Sequence, residues 1–226
     1  MSAGCEVAPR GWFIAGTDTE VGKTYVATAF VRQLVRRGLR VAAMKPVAAG
    51  AHATPAGLRN ADALALATAA NVTAAYATLN PYCLASAVSP HIAAAEAGVR
   101  IDPAHVARCF RTLVHDADRI VVEGAGGWLA PIGADSTMAD IAGALGLPVL
   151  LVVGLRLGCI NHALLSARAI ASSGLALAGW VGNRIDPRFE RAAENLATLE
   201  HWLGRPPAAV LPWRAQAEND VSFCLE

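Results

Sequence analysis

The chain has 226 residues, a formal charge of +1, an apolar fraction of 54% and only 16% charged residues. That length suits one α/β domain with a sizeable core, and the near-neutral charge, with no basic run longer than Arg36-Arg37, points away from nucleic acid and acidic partners. No stretch of about 18 apolar residues is free of charge or glycine, so no membrane span is expected. Glu6, Pro9 and Arg10 interrupt the N-terminus, which excludes the apolar region of a signal peptide and makes residues 1–10 a flexible tail. The cysteines, Cys5, Cys83, Cys109, Cys159 and Cys224, are odd in number and scattered, with no C-x-x-C spacing. That pattern excludes a disulfide framework or a zinc site and predicts a reduced, cytoplasmic setting.

The apolar run Trp12-Phe13-Ile14-Ala15 predicts a first strand, and the apolar spacing from Tyr25 to Arg37 predicts a helix. Between them lies Gly16-Thr17-Asp18-Thr19-Glu20-Val21-Gly22-Lys23-Thr24. Strand, glycine-bounded turn and helix is the context in which Gly-Lys-Thr binds phosphate. Backbone N–H groups at the helix N-terminus point at the anion, Lys23 adds positive charge, and the Thr24 hydroxyl can coordinate Mg²⁺. A nucleoside triphosphate site is therefore expected, although the loop is one residue longer than the generic G-x-x-x-x-G-K-[ST].

Arg40 to Lys45 reads as a second strand, closed by Pro46. Lys45 then sits at a strand's carboxyl end, where open parallel sheets bind ligands, or is simply an exposed charge there. Residues 47–60 read as a loop, followed by a helix from about Asp62 to Ala70. Ser89-Pro90 and Asp102-Pro103 each suit an N-cap and first helical position, predicting helices to Gly98 and to about Ala117. Arg119 to Glu123 is a third strand, ended by Gly124-Ala125-Gly126-Gly127. Thr137-x-x-Asp140 opens a helix to about Leu145. Pro148 to Gly154 is a fourth strand, Cys159 to Ser173 a helix after the turn at Gly158, and Leu175 to Val181 a fifth strand ending near Asn183. A helix over 188–203 and a short strand at Ala208 to Leu211 precede Pro212-Trp213. Strands alternating with helices predict a single-domain α/β fold over residues 11–226, a mostly parallel sheet with helices on both faces.

Glu123 ends an apolar strand, as the acid of a Walker-B strand does, and would stand beside Gly16 if the two strands are neighbours; otherwise it is a solvated strand-end charge. Asp62 is either a second metal-binding acid or a helix-start acid favoured by the macrodipole. Glycines 124, 126 and 127 either let the backbone approach a ligand or form a tight turn. The six histidines lack metal-ligand spacing, and no G-x-S-x-G is present, so acyl-enzyme chemistry is excluded.

Taken together, Gly16 to Thr24, Lys45-Pro46-Val47-Ala48, Asn60-Ala61-Asp62, Ser89-Pro90-His91, Val122 to Trp128, Arg156 to His162 and Leu177 to Val181 closely resemble dethiobiotin synthetase. The similarity runs from about residue 11 to Trp213, and the longer glycine loop is the form that family carries. The resemblance implies a P-loop NTPase-like fold and an ATP-dependent ligase of biotin biosynthesis. Such an enzyme converts 7,8-diaminopelargonic acid and CO₂ to dethiobiotin, with ADP and phosphate released. It implies Mg²⁺ held by Thr24, Asp62 and Glu123, and nucleotide bound by Glu20, Val21, Gly22, Lys23, Thr24 and Tyr25. Gly124, Ala125 and Gly126 would join that nucleotide site, with Asn183, Pro212 and Trp213 at the adenine. It assigns catalytic charge to Lys23 and Lys45, and substrate contact to Lys45 and Ala49. Gly158, Cys159, Ile160 and Asn161 would receive the substrate's carboxylate from the other subunit of a homodimer. Ala49 stands where serine is common in the family, Arg184 where an acid is common, and the tail beyond Trp213 matches poorly. Two rivals share the phosphate loop. A partitioning-type switch would carry an additional loop lysine where Asp18 and Glu20 stand, and a cobalamin-type amidating ligase would add a glutaminase domain.

Overall fold

Strands rich in Val, Ile and Ala are built to be covered on both faces, and here they form one parallel sheet with a hydrophobic core on each side. The computed structural model describes residues 10–213 and 221–225. The tail read for residues 1–10 lies, apart from Arg10, outside the described residues, as do 214–220 and 226 at the end of the predicted domain.

In chain order the elements are β1 (Gly11–Gly16), α1 (Lys23–Arg36), β2 (Val41–Met44), β3 (Val47–Ala48), β4 (His52–Thr54) and β5 (Gly57–Arg59). Then come α2 (Ala61–Ala69), α3 (Tyr76–Leu79), β6 (Tyr82–Cys83), α4 (Pro90–Glu96), α5 (Pro103–Val114) and β7 (Arg119–Gly127). The chain continues with α6 (Met138–Leu145), β8 (Val149–Leu155), α7 (Cys159–Ser172), β9 (Leu177–Arg184), α8 (Ala192–Leu203) and β10 (Ala209–Leu211). The main sheet has the order β10-β9-β8-β1-β7-β2, every pairing parallel. β1 is thus central, flanked by β7 and β8, and the loop after it opens at the sheet's carboxyl edge.

Alternation along each strand sorts its side chains. Phe13, Met44, Ile120, Val122 and Leu151 join the core that packs α5, α6 and α7, while Ile14, Val121, Leu150 and Val152 face α1 and α2. On the second face Phe30 of α1 meets Trp12 edge-on at 5.0 Å and Phe223 at 5.1 Å. The buried Gln33 amide holds Phe223 at both backbone groups: its nitrogen, Nε2, donates to the carbonyl at 3.0 Å, and the Phe223 N–H donates to Oε1 at 2.7 Å. Residues 221–225 are thereby fastened to α1.

Several predicted starts have their expected chemistry. Asp102 caps α5 ahead of Pro103, and the Asp140 carboxylate accepts the Thr137 N–H at 2.7 Å. Ser89 occupies the N-cap of α4 with Pro90 behind it, yet its hydroxyl makes no capping bond.

Other predictions need correction. The stretch read as a loop over 47–60 contains strand β3 and an antiparallel hairpin, β4–β5, turned at Pro55-Ala56, with Gly57 after the turn at φ 95°. The third strand continues past Glu123 to Gly127, because Gly127 pairs with Gly16 beyond an irregularity in the β1 register. α8 begins at Ala192, four residues later than predicted, and the short pieces α3 and β6 give no periodic signal over so few residues.

Candidate active site

The loop after β1 is shaped by two backbone positions. Gly22 has φ 84°, and Glu20, at φ 60°, is the sole non-glycine with positive φ among the described residues. A glutamate held in this region costs free energy that the surrounding loop must supply, a pattern found where backbone is shaped around a ligand. Helix α1 then starts without a side-chain cap and without an acid in its first turn, so its N–H groups and dipole are left for an anion. A Cβ on Gly16 would lie 2.9 Å from Lys23 Nζ, and one on Gly22 would lie 2.2 Å from the Asn183 amide nitrogen. Both glycines are therefore required by close approach.

Lys23 is 7% exposed and its Nζ donates to the Asp18 carbonyl at 2.9 Å. Burial, helped by the charge of Lys45, lowers it to about 8 despite the carboxylates nearby. The Asp18 carboxylate is itself held, accepting from the Thr19 N–H at 2.7 Å and from Arg156 Nη2 at 2.5 Å. Asn183 at the end of β9 donates to the Val21 carbonyl at 2.9 Å, fixing the far side of the loop.

The neighbouring strand supplies the acid. Parallel pairing of β1 with β7 sets Glu123 opposite Ile14, and its side chain is completely buried. Oε1 accepts from Thr24 Oγ1 at 2.8 Å and from Lys45 Nζ at 2.5 Å. Lys45, at the carboxyl end of β2, also lies 3.3 Å from Asp62 Oδ2 and donates to the Gly124 carbonyl at 3.3 Å. Burial is the strongest single influence on Lys45 and pulls it down. The carboxylates of Glu123 and Asp62 together outweigh that, so its pKa stands above the ordinary lysine value and the ammonium stays charged. A buried ion pair of this kind adds little to stability, because desolvation offsets most of the attraction. Its retention fits a role in holding charge where chemistry occurs.

Lys23, Thr24, Lys45, Asp62 and Glu123 converge on one cleft of about 680 Å³, which Glu20, Gly22, Ala49, Ala125 and Gly126 also line. Other predicted residues stand back from it. Val21 is buried and offers only its backbone, and Tyr25 packs beside the α1 core with a buried hydroxyl that has no hydrogen-bond partner among the described residues. Gly124 is packed against the Phe13 ring and reaches the site through its carbonyl. Asn183, Pro212 and Trp213 lie outside the cleft lining, as does the turn Gly158–Asn161. There Gly158 has φ 92°, Cys159 is buried, and the Cys159 N–H is engaged by the Arg156 carbonyl at 3.0 Å.

Sequence reasoning missed Asn60 and Asn80. Asn60 caps α2, its Oδ1 accepting from the N–H groups of Asp62 at 3.0 Å and Ala63 at 3.3 Å, which orients Asp62. Asn80 donates to the Lys45 carbonyl at 2.7 Å. An asparagine ahead of a helical acid is a legible cap; Asn80 carries no local sign of its distant partner. The cleft also takes in Ala87, Val88, Ala130 and Pro131, apolar loop residues with no motif around them.

The donor set fits a divalent cation. Glu123 Oε2 is buried with no hydrogen-bond partner among the described residues, next to the Thr24 hydroxyl and, through Lys45, the Asp62 carboxylate. No cluster of three or more His, Cys, Asp or Glu occurs among the described residues. Two carboxylates beside a hydroxyl are a donor set that suits Mg²⁺, which takes one or two carboxylates and completes its shell with phosphate oxygens and water.

A parallel sheet, a glycine-bounded loop opening an uncapped helix, a buried lysine and a buried acid on the neighbouring strand β7 define a P-loop nucleotide-binding protein. Solved structures share the fold: a ParA family ATPase from Chlorobium tepidum matches with a TM-score of 0.57 at 14% identity, over 94% of this chain and 88% of that one. The signal recognition particle 54 kDa protein from Aeropyrum pernix, in complex with GDP, matches with a TM-score of 0.59 at 17% identity, over 97% of this chain and 44% of that one. Residues 10–221 match the model of an AAA domain family. Among curated proteins, the ATP-dependent dethiobiotin synthetase of Aromatoleum aromaticum is 51% identical over 93% of each chain. Those of Pseudomonas aeruginosa and Xanthomonas oryzae are 50% and 49% identical, over 89% of each chain and over 93% of this chain and 94% of the relative. The chain belongs to the dethiobiotin synthetase family.

Proposed function

We propose that this chain catalyses the ATP-dependent carboxylation and ring closure of 7,8-diaminopelargonic acid with CO₂, giving dethiobiotin, ADP and phosphate. Family membership supports the reaction. The single observation that carries its placement is the convergence of a phosphate loop with a buried, fully charged Lys45 in one cleft.

One amine of the substrate adds to CO₂ and loses a proton, forming a carbamate. A carbamate oxygen attacks the γ-phosphorus of ATP and ADP departs. The second amine then attacks the carbonyl carbon, phosphate leaves, and the cyclic urea closes. Each intermediate is an anion, so the residues act by preorganised charge and not by covalent attack. The α1 N–H groups and Lys23 hold the phosphates. Lys45, fixed by Glu123 and Asp62, offers its ammonium to the carbamate and the transferring phosphoryl group. Thr24, Asp62 and Glu123 would hold Mg²⁺, which when bound neutralises charge on the β- and γ-phosphate oxygens. Ala49 lines the cleft without a hydroxyl, so its contact there is apolar or through its carbonyl, which already accepts from Asn60 Nδ2 at 3.2 Å.

The turn Gly158–Asn161 lies off the cleft, and we assign it to the carboxylate of substrate bound by a second subunit of a homodimer. Adenine would then lie toward Asn183, Pro212 and Trp213. No helix among the described residues is long and apolar enough to cross a membrane, in keeping with an enzyme of small cytoplasmic metabolites.

Purified protein given Mg-ATP, bicarbonate and the diamine is expected to release phosphate and form dethiobiotin in equal amounts. Phosphate release that does not depend on the diamine would overturn the assignment.

A further inference from the structure

Lys45 and Asp62 meet at 3.3 Å, yet one ends a strand and the other opens a helix, with the hairpin loop 46–60 between them. Something must hold the two backbones in register, and a single phenol connects them. The Asn60 N–H, at the cap of α2, donates to Tyr76 Oη at 2.8 Å. Tyr76 Oη is 3.1 Å from Asn80 Oδ1, and Asn80 Nδ2 donates to the carbonyl of Lys45 at 2.7 Å and that of Tyr82 at 3.4 Å.

The hydrogens in this chain have one consistent assignment. Both groups facing Asn80 Nδ2 are carbonyls, so that end of the amide must be the nitrogen and the other end an acceptor. Tyr76 must therefore donate to Asn80, which leaves its lone pairs for the Asn60 N–H and the nearby Cys83 thiol, 3.7 Å away. The Lys45 N–H donates in turn to the Leu79 carbonyl at 2.8 Å, tying the strand end to the same short helix that carries Tyr76. The ring is held from outside by the Arg59 guanidinium, 4.1 Å above its centre. Asn60 and Asn80 are both buried, so neither can exchange a lost partner for bulk water.

Resting on the proposed function for the roles of Lys45 and Asp62, we infer that Tyr76 is a positioning residue for that reaction. Its hydroxyl sets the distance between the ammonium of Lys45 and the carboxylate of Asp62, and with it the geometry of cation and phosphoryl binding. A purely architectural role would lower stability and leave the site's chemistry alone. Tyr82 supplies the matching control: its hydroxyl accepts the Asp102 N–H at 2.9 Å, the same type of bond at the start of α5, and Tyr82 meets Asn80 only through its backbone carbonyl, which the Phe substitution leaves in place.

The experiment compares Tyr76→Phe with Tyr82→Phe in thermal melts, in kcat and KM, and in calorimetric titration of ADP with and without Mg²⁺. Both variants are expected to melt lower by similar amounts. Tyr76→Phe alone should lose about ten-fold in kcat and about ten-fold in the Mg²⁺-dependent part of ADP affinity, the scale of one buried hydrogen-bonded group left unpaired. Metal-independent ADP binding should hold. If Tyr76→Phe matches Tyr82→Phe in kcat and in metal dependence, the inference is overturned. Should Tyr76→Phe not fold, Asn80→Ser cuts the same link on its Lys45 side and is read by the same criteria. The calorimetry needs no diamine, so it decides this point even if the ligase reaction itself is absent.

Discussion

Helices α1 and α7 both begin on a glycine in the left-handed conformation, Gly22 and Gly158, and neither has a side-chain cap or an acid in its first turn. Local backbone physics makes both of them anion-receiving ends. Their surroundings differ. The α1 terminus is walled by Lys23, Lys45, Asp62 and Glu123 within one cleft, whereas the α7 terminus lies off that cleft with Leu157 almost fully exposed beside it. The same local device stands inside a charged cleft in one place and outside it in the other. An ion pair joins the two, from Arg156 of the α7 turn to Asp18 of the phosphate loop. The difference teaches that an uncapped helix start only provides for an anion; the charged groups brought to it from other strands decide what is done with that anion.

The largest expected effect comes from stripping the α1 end of its second lysine. Lys45→Ala should lower kcat by roughly 10²–10³, the scale for removing one preorganised charge donor. It should also lower stability by roughly 3 kcal/mol, since Glu123 loses its buried counter-ion. Circular dichroism at 25 °C should still report a folded protein, and near-normal turnover would erase the contrast between the two termini.

A pH series sharpens the comparison at intermediate size. Lys23 has a folded pKa of about 8 against 10.5 when unfolded, so between these values the unfolded chain binds more protons and stability rises with pH. The cost of burying the charged lysine is fully present below pH 8 and is relieved by pH 10.5. Urea denaturation of wild type against Lys23→Met should show wild type gaining roughly 3 kcal/mol on the variant across that window. A constant difference would mean that Lys23 is not held charged at a cost in the empty loop.

The smallest effect is expected at the other terminus. Gly158→Ala meets no atom within 4 Å, so only its φ of 92° opposes it, at about 1 kcal/mol and a fall in Tm of about 3 °C. If the α7 turn receives a partner-bound carboxylate, the KM for the diamine should rise several-fold while ADP binding stays unchanged. An unchanged KM would leave α7 with no part in substrate binding.

Most of this architecture was legible because its signals are local. The β-branched runs, the Asp102-Pro103 start, the Thr137–Asp140 box and the glycine-bounded loop each encode their structure within a few residues. Lys45 and Asp62 could be singled out by their places at element ends, and Glu123 by the apolar run before it, although its strand continues to Gly127. What escaped were contacts between elements. Asn80 reaches the Lys45 carbonyl from 35 positions away, and Arg156 reaches Asp18 from 138. The hairpin β4–β5 escaped because its strands are short and exposed, with little alternation to read.

The sequence by itself determined that a phosphate-binding loop follows a buried strand, since strand, turn and helix start are set by residues adjacent in the chain. It determined as well that Lys45 and Asp62 stand at element ends and that Glu123 follows an apolar strand run. Only the tertiary structure decided that β7 lies beside β1. That parallel pairing buries Glu123 against Thr24 and Lys45, leaves one carboxylate oxygen without a hydrogen-bond partner among the described residues, and keeps Lys45 charged in the interior. The physical reason is that charge state and metal-binding geometry depend on desolvation and on distances of a few ångströms between segments far apart in sequence.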